Sequence, residues 1–523
     1  MILDLSTADD GVSFEAPVVI VGGGIAGLVL AHRLRRGGTR VLVVESGGRK
    51  PSPAADGLNL VDQLGDHYQM PTVGRARGLG GTSSLWGGAL LPFLTEDMAP
   101  RPHVGLPGWP IERRELQGHI EEIERLFGVQ PSAYDRDPVD GTGIPMGDTV
   151  FSARFAKWPA FKLRNVATLL GGALESDREL VVLVNATVTD IAIDRAAGRL
   201  RNLTVRSPNG RKAAIAGQRF VLAAGAIEST RLLLLLDRLN GGAVFAGGLA
   251  PGRGLFDHIG TACATIEARH PAALNRLAGF RFERGTMRSV RFELQPAAQA
   301  DEKMGSAYAH VHVDAEIYTG YDALRDMLRA LQARAPFERK AIMAVLRDGP
   351  YLARLAWWRY GRGLLCWPAP ARYSLQLTSE QLPHPDNRIG LSEKTDRYGV
   401  PLAAIDWHIR EHDLGPFRTL RRLFDAFWSR HGLAATGELR WADFLDDSDA
   451  LKKRLGDVLH PGGTTRMGHD RAAAVVDRDL KVFAVPNLWI CSTSTFPSGG
   501  SANPTLTLMA LALRLGDRLA AER

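Results

Sequence analysis

The apolar positions of the chain follow two distinct periods. Near the N-terminus, Val18 to Val21 is an unbroken apolar run, the pattern of a strand buried on both faces. A helical pattern follows from Ile25 to Arg36, and a second buried strand, Val41 to Val44, ends in Glu45. A third strand closes at Val221, turns through Ala224-Gly225-Ala226 and predicts a helix opening with Glu228 and Ser229. The C-terminal part repeats the motif: a strand over Leu488 to Cys491, a polar Ser/Gly loop, Asn503-Pro504, then a terminal amphipathic helix. Pro504 suits the first turn of that helix, where its missing N–H costs nothing. Between these segments the pattern changes. Arg372 to Ile409 alternates apolar and polar positions broken by turn signals, which predicts sheet strands. Tyr321 to Arg362 reads as helical, with Leu324, Met327, Leu328 and Leu331 on one side.

At 523 residues the chain is too long for a single ordinary core, and two intertwined domains are expected. Its 45% hydrophobic and 23% charged content is that of a globular soluble protein. The Leu232 to Leu236 run is too short to span a bilayer. The acidic N-terminus lacks the positive flank and apolar stretch of a secretion signal, so a cytoplasmic location without membrane association is expected. The net charge of +7 comes without a dense basic block, and an anionic cofactor or substrate accounts for it better than nucleic acid. Cys263, Cys366 and Cys491 are too few and too scattered for a disulfide framework or a zinc site, and read as reduced, buried thiols.

Candidate chemistry begins at the first strand–helix junction. Gly22, Gly24 and Gly27 stand in G-x-G-x-x-G spacing between a strand and a helix. Gly22 permits the tight turn, Gly24 lets a pyrophosphate approach the backbone, and Gly27 lets helix and strand pack closely. The opening of the helix, Ile25 and Ala26, would meet phosphates with free N–H groups and its positive dipole end. Glu45 stands where a carboxylate accepts hydrogen bonds from ribose hydroxyls and disfavours a 2′-phosphate. This unit alone leaves NAD and FAD both open. A second segment, Arg75 to Phe93, flanks Thr82, Ser83 and Ser84 with the pairs Gly80–Gly81 and Gly87–Gly88. Such a loop can press backbone and hydroxyls against a flat ring or a phosphate.

Taken with HPGGTTRMG (His460 to Gly468) and the NPTLTLMALALRLGDRLA tail from Asn503, these segments resemble the glucose–methanol–choline (GMC) oxidoreductase family, in order from the fingerprint to the last helix. The resemblance implies an α/β, Rossmann-like FAD-binding domain of the GMC and p-hydroxybenzoate-hydroxylase type. An α+β substrate domain on an antiparallel sheet accompanies it. The expected FAD-binding segments are 12–95, 176–260 and 455–523; the substrate domain is expected over 96–175 and 261–454. The same resemblance implies FAD contacts at Gly80, Gly81, Thr82, Ser84 and Gly88, and at Val188 beside the adenine. It places Ala224 and Gly225 on the adenosine side, and Ser494, Thr495 and Pro504 near the flavin ring. His460 is the implied base and Asn503 the residue that holds the substrate oxygen, since imidazole titrates near neutrality and an amide can only orient. Some family members attach FAD through a His in the glycine-rich loop; that position is Leu85 here, which implies non-covalent FAD.

The expected reaction is oxidation of an alcohol group, a secondary hydroxyl of a sugar, glycoside or polyol, with oxygen or another carrier as electron acceptor. Two rivals remain, an FAD-containing hydroxynitrile lyase and a non-catalytic FAD-binding partner. His310 and His312 fall on one side of a strand, either as a substrate-pocket wall or metal pair or as ordinary strand residues; no metal site is expected. Trp357, Trp358 and Trp367 fit sugar stacking and plain packing equally. Met467 and Met509 read as core, and Asp257-His258 as a structural turn.

Overall fold

The computed structural model describes residues 1–522 apart from 140–141, 195, 316–317, 334 and 366–370. Strand Val12–Val21 lies between Val41–Val44 and Lys212–Leu222, all three parallel. They belong to an eight-stranded sheet that also takes in Ile2–Asp4, Leu180–Val184, Thr187–Asp194, Arg199–Arg206 and Leu488–Ile490. Parallel pairing explains the unbroken apolar runs. Val18, Val19 and Ile20 have no accessible surface, because helices cover both faces. The fingerprint helix Ile25–Arg36 and the terminal helix Thr505–Ala521 pack on each other, and their apolar stripes join this core. Gly27 is where they close on the sheet: a Cβ there would lie 2.0 Å from the Gly22 carbonyl oxygen.

The second sheet has nine strands. Its spine runs Leu364–Leu365, Phe280–Glu283, Thr286–Leu294, Ala307–Ala315, Ala371–Glu380, His258–Ala268 and Gly437–Trp441, with Phe151–Trp158 and Gly456–Asp457 attached at the sides. Its apolar face packs on helix Glu411–Arg430 through Phe417, Phe424, Phe427 and Trp428. The other face carries Arg291, Glu293, Tyr308, His310 and Gln376 at paired positions.

Two expectations change. The alternating stretch after Arg372 does form strands, but Arg388–Thr395 and Pro401–Asp406 leave the large sheet. They build a separate three-stranded sheet with Val61–Gln63, a strand from the N-terminal segment. The first residues are also structural, since Ile2–Asp4 pairs in parallel with Leu180–Val184. The 321–362 stretch is three helices, Gly320–Ala333, Arg339–Arg347 and Gly349–Arg362. They sit against the glycine-rich loop, where Gln332 donates to the Ser83 and Trp86 carbonyls at 3.0 Å. Cys263 and Cys491 are buried free thiols, each pushed up to about 12 by burial. Cys366 and Trp367 lie outside the described residues. Among the described residues no helix is long and apolar enough to cross a membrane.

Candidate active site

One cleft with about 1280 Å³ of empty space runs along the C-terminal edge of the parallel sheet. Three helices aim their N-termini into it. Gly24, Ile25 and Ala26 open the fingerprint helix, Ala224 and Gly225 open Gly225–Leu239, and Pro504 opens the terminal helix. None of the three has a side-chain cap, so their free N–H groups face the cleft. Gly225 stands at φ +75 with nothing within 4 Å of the Cβ it lacks, so its backbone is open to a ligand.

Glu45 lies in the wall, 6% exposed. Its Oε2 accepts the Gly23 N–H at 2.7 Å and its Oε1 those of Gly47 and Gly78 at 2.8 and 3.0 Å. Burial pushes its carboxyl up, while the Gly47 and Gly23 N–H groups pull it down. Further hydroxyl donors from a ribose would favour the ionised form through its remaining lone pairs. Val188 and Thr82 also line the cleft, as does Gly81 at φ +51.

Other expected contacts are displaced. Gly80, Ser84 and Gly88 do not line the cleft; they shape the loop behind it. The Gly80 N–H donates to the Gly23 carbonyl, the Ser84 hydroxyl to the Gly81 carbonyl, and Gly88 packs on Arg164. Ser494 and Thr495 are fully buried, with their hydroxyls engaged by Thr465 and by the Ser492 carbonyl; Ser492 and Thr493 line the cleft in their stead. A two-residue shift of this kind is invisible in a Ser/Thr run, where every position offers the same chemistry. The sequence reading also missed Arg75, Arg77 and Glu228. Glu228 bonds Arg77 at 2.9 Å and Arg231 at 2.8 Å, with Arg75 at 3.3 Å. Burial beside these like charges lowers Arg75 to about 10.

At the other end of the cleft stands His460. Its place is set by strand register. Ile259 pairs with Asp457 and Phe256 bridges to Gly462, which brackets His258 and His460 on adjacent segments. The Asp257 carboxylate ties them together, its Oδ1 accepting the backbone N–H of both at 2.8 Å while its Oδ2 accepts the Tyr68 hydroxyl at 2.8 Å. Leu459, just before His460, is held at φ +67, a conformation costing about 1–2 kcal/mol that turns the imidazole into the cleft. His460 Nδ1 lies 2.8 Å from His258 Nδ1, and His460 Nε2 lies 3.2 Å from Asn503 Nδ2. Burial, then His258 and Arg291, hold His460 well below the usual imidazole value. His258, expected as a plain turn residue, is therefore in direct contact with the implied base.

His310 and His312 share a face as expected but diverge. His312 meets Asp314 at 3.1 Å near the surface; His310 points inward, its buried Nδ1 without a partner among the described residues, and burial lowers it to about 3. Among the described residues no group of three potential ligands could hold a metal. Trp357 is exposed, Arg362 stacks over Trp358, and Met467 and Met509 are core.

Residues 383–512 match the family model described as GMC oxidoreductase, and residues 20–70 match one described as an NAD(P)-binding Rossmann-like domain. Residues 383–512 thus carry the GMC oxidoreductase pattern, and the N-terminal match falls on the nucleotide-binding unit. It is similar to the fructose dehydrogenase large subunit of Gluconobacter japonicus, 23% identical over 97% of this chain and 98% of the relative. It is 25% identical to the paromamine 6'-oxidase of Streptomyces fradiae, over 97% of this chain and 91% of that one. The solved pyridoxine 4-oxidase from Mesorbium loti shares the fold, with a TM-score of 0.60 at 20% identity, covering 96% of this chain and 99% of that one.

The chain is an FAD-dependent enzyme of CH–OH donors. The cleft fits that cofactor on its own terms. An elongated, twice-charged pyrophosphate with a ribose at one end is what three uncapped helix N-termini and the Glu45 carboxylate would hold.

Proposed function

We propose that the enzyme oxidises a hydroxyl of a sugar, glycoside or related polyol to a carbonyl. The observation that carries this reading is the contact of His460, which lines the cofactor cleft, with Asn503. His460 takes the hydroxyl proton on the ring nitrogen that faces Asn503, and the Asn503 amide holds the substrate oxygen. Glu45 and the helix N-termini at Gly24, Gly225 and Pro504 would hold FAD, which would supply the two-electron acceptor for the hydride leaving the carbon that carried the hydroxyl. The similarity to the Gluconobacter fructose dehydrogenase subunit and the Streptomyces paromamine oxidase supports a carbohydrate substrate.

Anaerobic mixing with a panel of sugars and glycosides is expected to bleach the flavin absorbance with at least one of them. No bleaching by any hydroxy compound would turn the reading toward the non-redox lyase. A secondary ring hydroxyl, giving a ketone, is the expected position; an aldehyde product would place the oxidation at a primary hydroxyl instead.

The reduction rate should fall on the acid side only. A base must be neutral to accept the proton, and burial disfavours the imidazolium of His460, so its apparent pKa lies below 6.5. The rate therefore climbs with pH through that value and is flat by neutrality. A profile still rising above pH 8 would place the base elsewhere.

FAD is held without a covalent bond in this reading. Leu85 is 52% exposed and carries no nucleophilic atom. Acid precipitation is expected to leave the yellow cofactor in the supernatant; colour retained in the pellet would contradict it.

A further inference from the structure

We propose that His258 is a positioning residue that fixes the ring tautomer of His460 and makes Nε2 its proton-accepting atom. This rests on the reading of His460 as the base.

The case is a count of protons along one line of hydrogen bonds. His258 Nε2 lies 2.7 Å from the Gly500 carbonyl oxygen. A carbonyl has no proton to give, so His258 Nε2 carries the N–H. A neutral imidazole has only one, so His258 Nδ1 presents a lone pair to His460 Nδ1, 2.8 Å away. His460 Nδ1 must then donate, which leaves the lone pair on Nε2, facing the Asn503 amide N–H at 3.2 Å. One proton arrangement satisfies all four ring nitrogens. The opposite tautomer of His460 would set two lone pairs against each other at Nδ1 and two N–H groups against each other at Asn503.

The far end of the line is rigid. Gly500 stands at φ +57, and a Cβ there would come within 2.8 Å of the Asp97 carboxyl carbon. Its N–H and that of Gly499 donate to Glu380 Oε1 at 2.9 and 2.8 Å, and Glu380 is itself clamped by Arg101. The rings of the two histidines are perpendicular, with centroids 5.0 Å apart, so they meet edge-on through nitrogen. The titratable and charged groups facing His258 are His460, Glu380 and Arg291, while the Asp257 carboxyl group holds its backbone N–H. When His460 accepts the substrate proton at Nε2, its Nδ1–H still has the His258 lone pair as acceptor. The new cation keeps a partner without any ring rotation.

The wild-type holoenzyme gives the direct test. Ring ¹⁵N resonances, with those of His460 assigned by their loss in His460→Gln, are expected to show Nδ1 protonated and Nε2 bare near pH 8. A protonated Nε2 overturns the proposal and needs no His258 variant to fold. In stopped-flow flavin reduction, His258→Leu removes the acceptor and is expected to slow the limiting rate by roughly 10–100-fold with substrate affinity unchanged. His258→Asn, whose Oδ1 can accept from His460 Nδ1, should recover to within about 5-fold of wild type. Equal loss in both variants at equal FAD content would make the role one of shape, overturning the proposal. Normal reduction by His460→Ala would sink the base assignment itself, and is a separate result.

Discussion

Replacing His460 by Ala is expected to lower the limiting rate of anaerobic flavin reduction by roughly 100-fold or more. His460 lines the cleft, and its Nε2 is within hydrogen-bond distance of the Asn503 amide. The variant should keep its fold. Its backbone N–H still reaches Asp257, and register with the 256–260 strand depends on main-chain bonds rather than on the imidazole. It should also keep FAD, because the three helix N-termini and Glu45 are untouched. Equal absorbance at the flavin maximum with a collapsed reduction rate is the diagnostic pair. Near-wild-type reduction would move the base to another residue.

The second large effect concerns stability. Arg101→Leu should destabilise the holoenzyme by about 3–5 kcal/mol, measured by denaturant unfolding at pH 7, because it leaves a buried carboxylate without its counter-ion. Arg101 and Glu380 are 5% and 0% exposed and bond through both guanidinium branches, one of them at 2.6 Å. Despite burial, Arg101 and the N–H groups of Gly500 and Ser306 hold Glu380 at about 2. A depressed carboxyl adds stability above its unfolded value near 4.5 and loses it as pH falls through about 2. The gap between wild type and variant is therefore expected to be widest at neutral pH and to narrow toward pH 3. A shift under about 1 kcal/mol at pH 7 would show that the three remaining backbone donors suffice. Because Glu380 also holds the Gly499–Gly500 turn, residual folded Arg101→Leu should reduce its flavin more slowly as well.

Much of the fold was readable because burial on both faces leaves a mark in one dimension. The helix Ile25–Arg36 and the strand Val41–Val44 have the limits their apolar pattern predicts. The hairpin Arg388–Asp406 was readable as strands but not as to which sheet it joins. Alternation records that one face is buried, not against what. The cleft residues divide in the same way. Gly22, Gly24, Gly225 and Glu45 were legible because their backbone freedom or charge has few substitutes. Ser494 and Thr495 could not be told from Ser492 and Thr493, which line the cleft, because hydroxyl residues two positions away carry the same chemistry.

His460 and Asn503 were visible from their motifs, and the cofactor class followed with them. What His460 does with its two ring nitrogens was not. That depends on His258, more than 200 residues earlier and brought alongside by two short pairings, and on one carbonyl whose direction is set by a left-handed glycine. Sequence alone determined the residue types, the nucleotide-binding unit and the family of reaction. Only the tertiary structure set His258 and the Gly500 carbonyl in line with His460, because such contacts join residues far apart in the chain and leave no period along it.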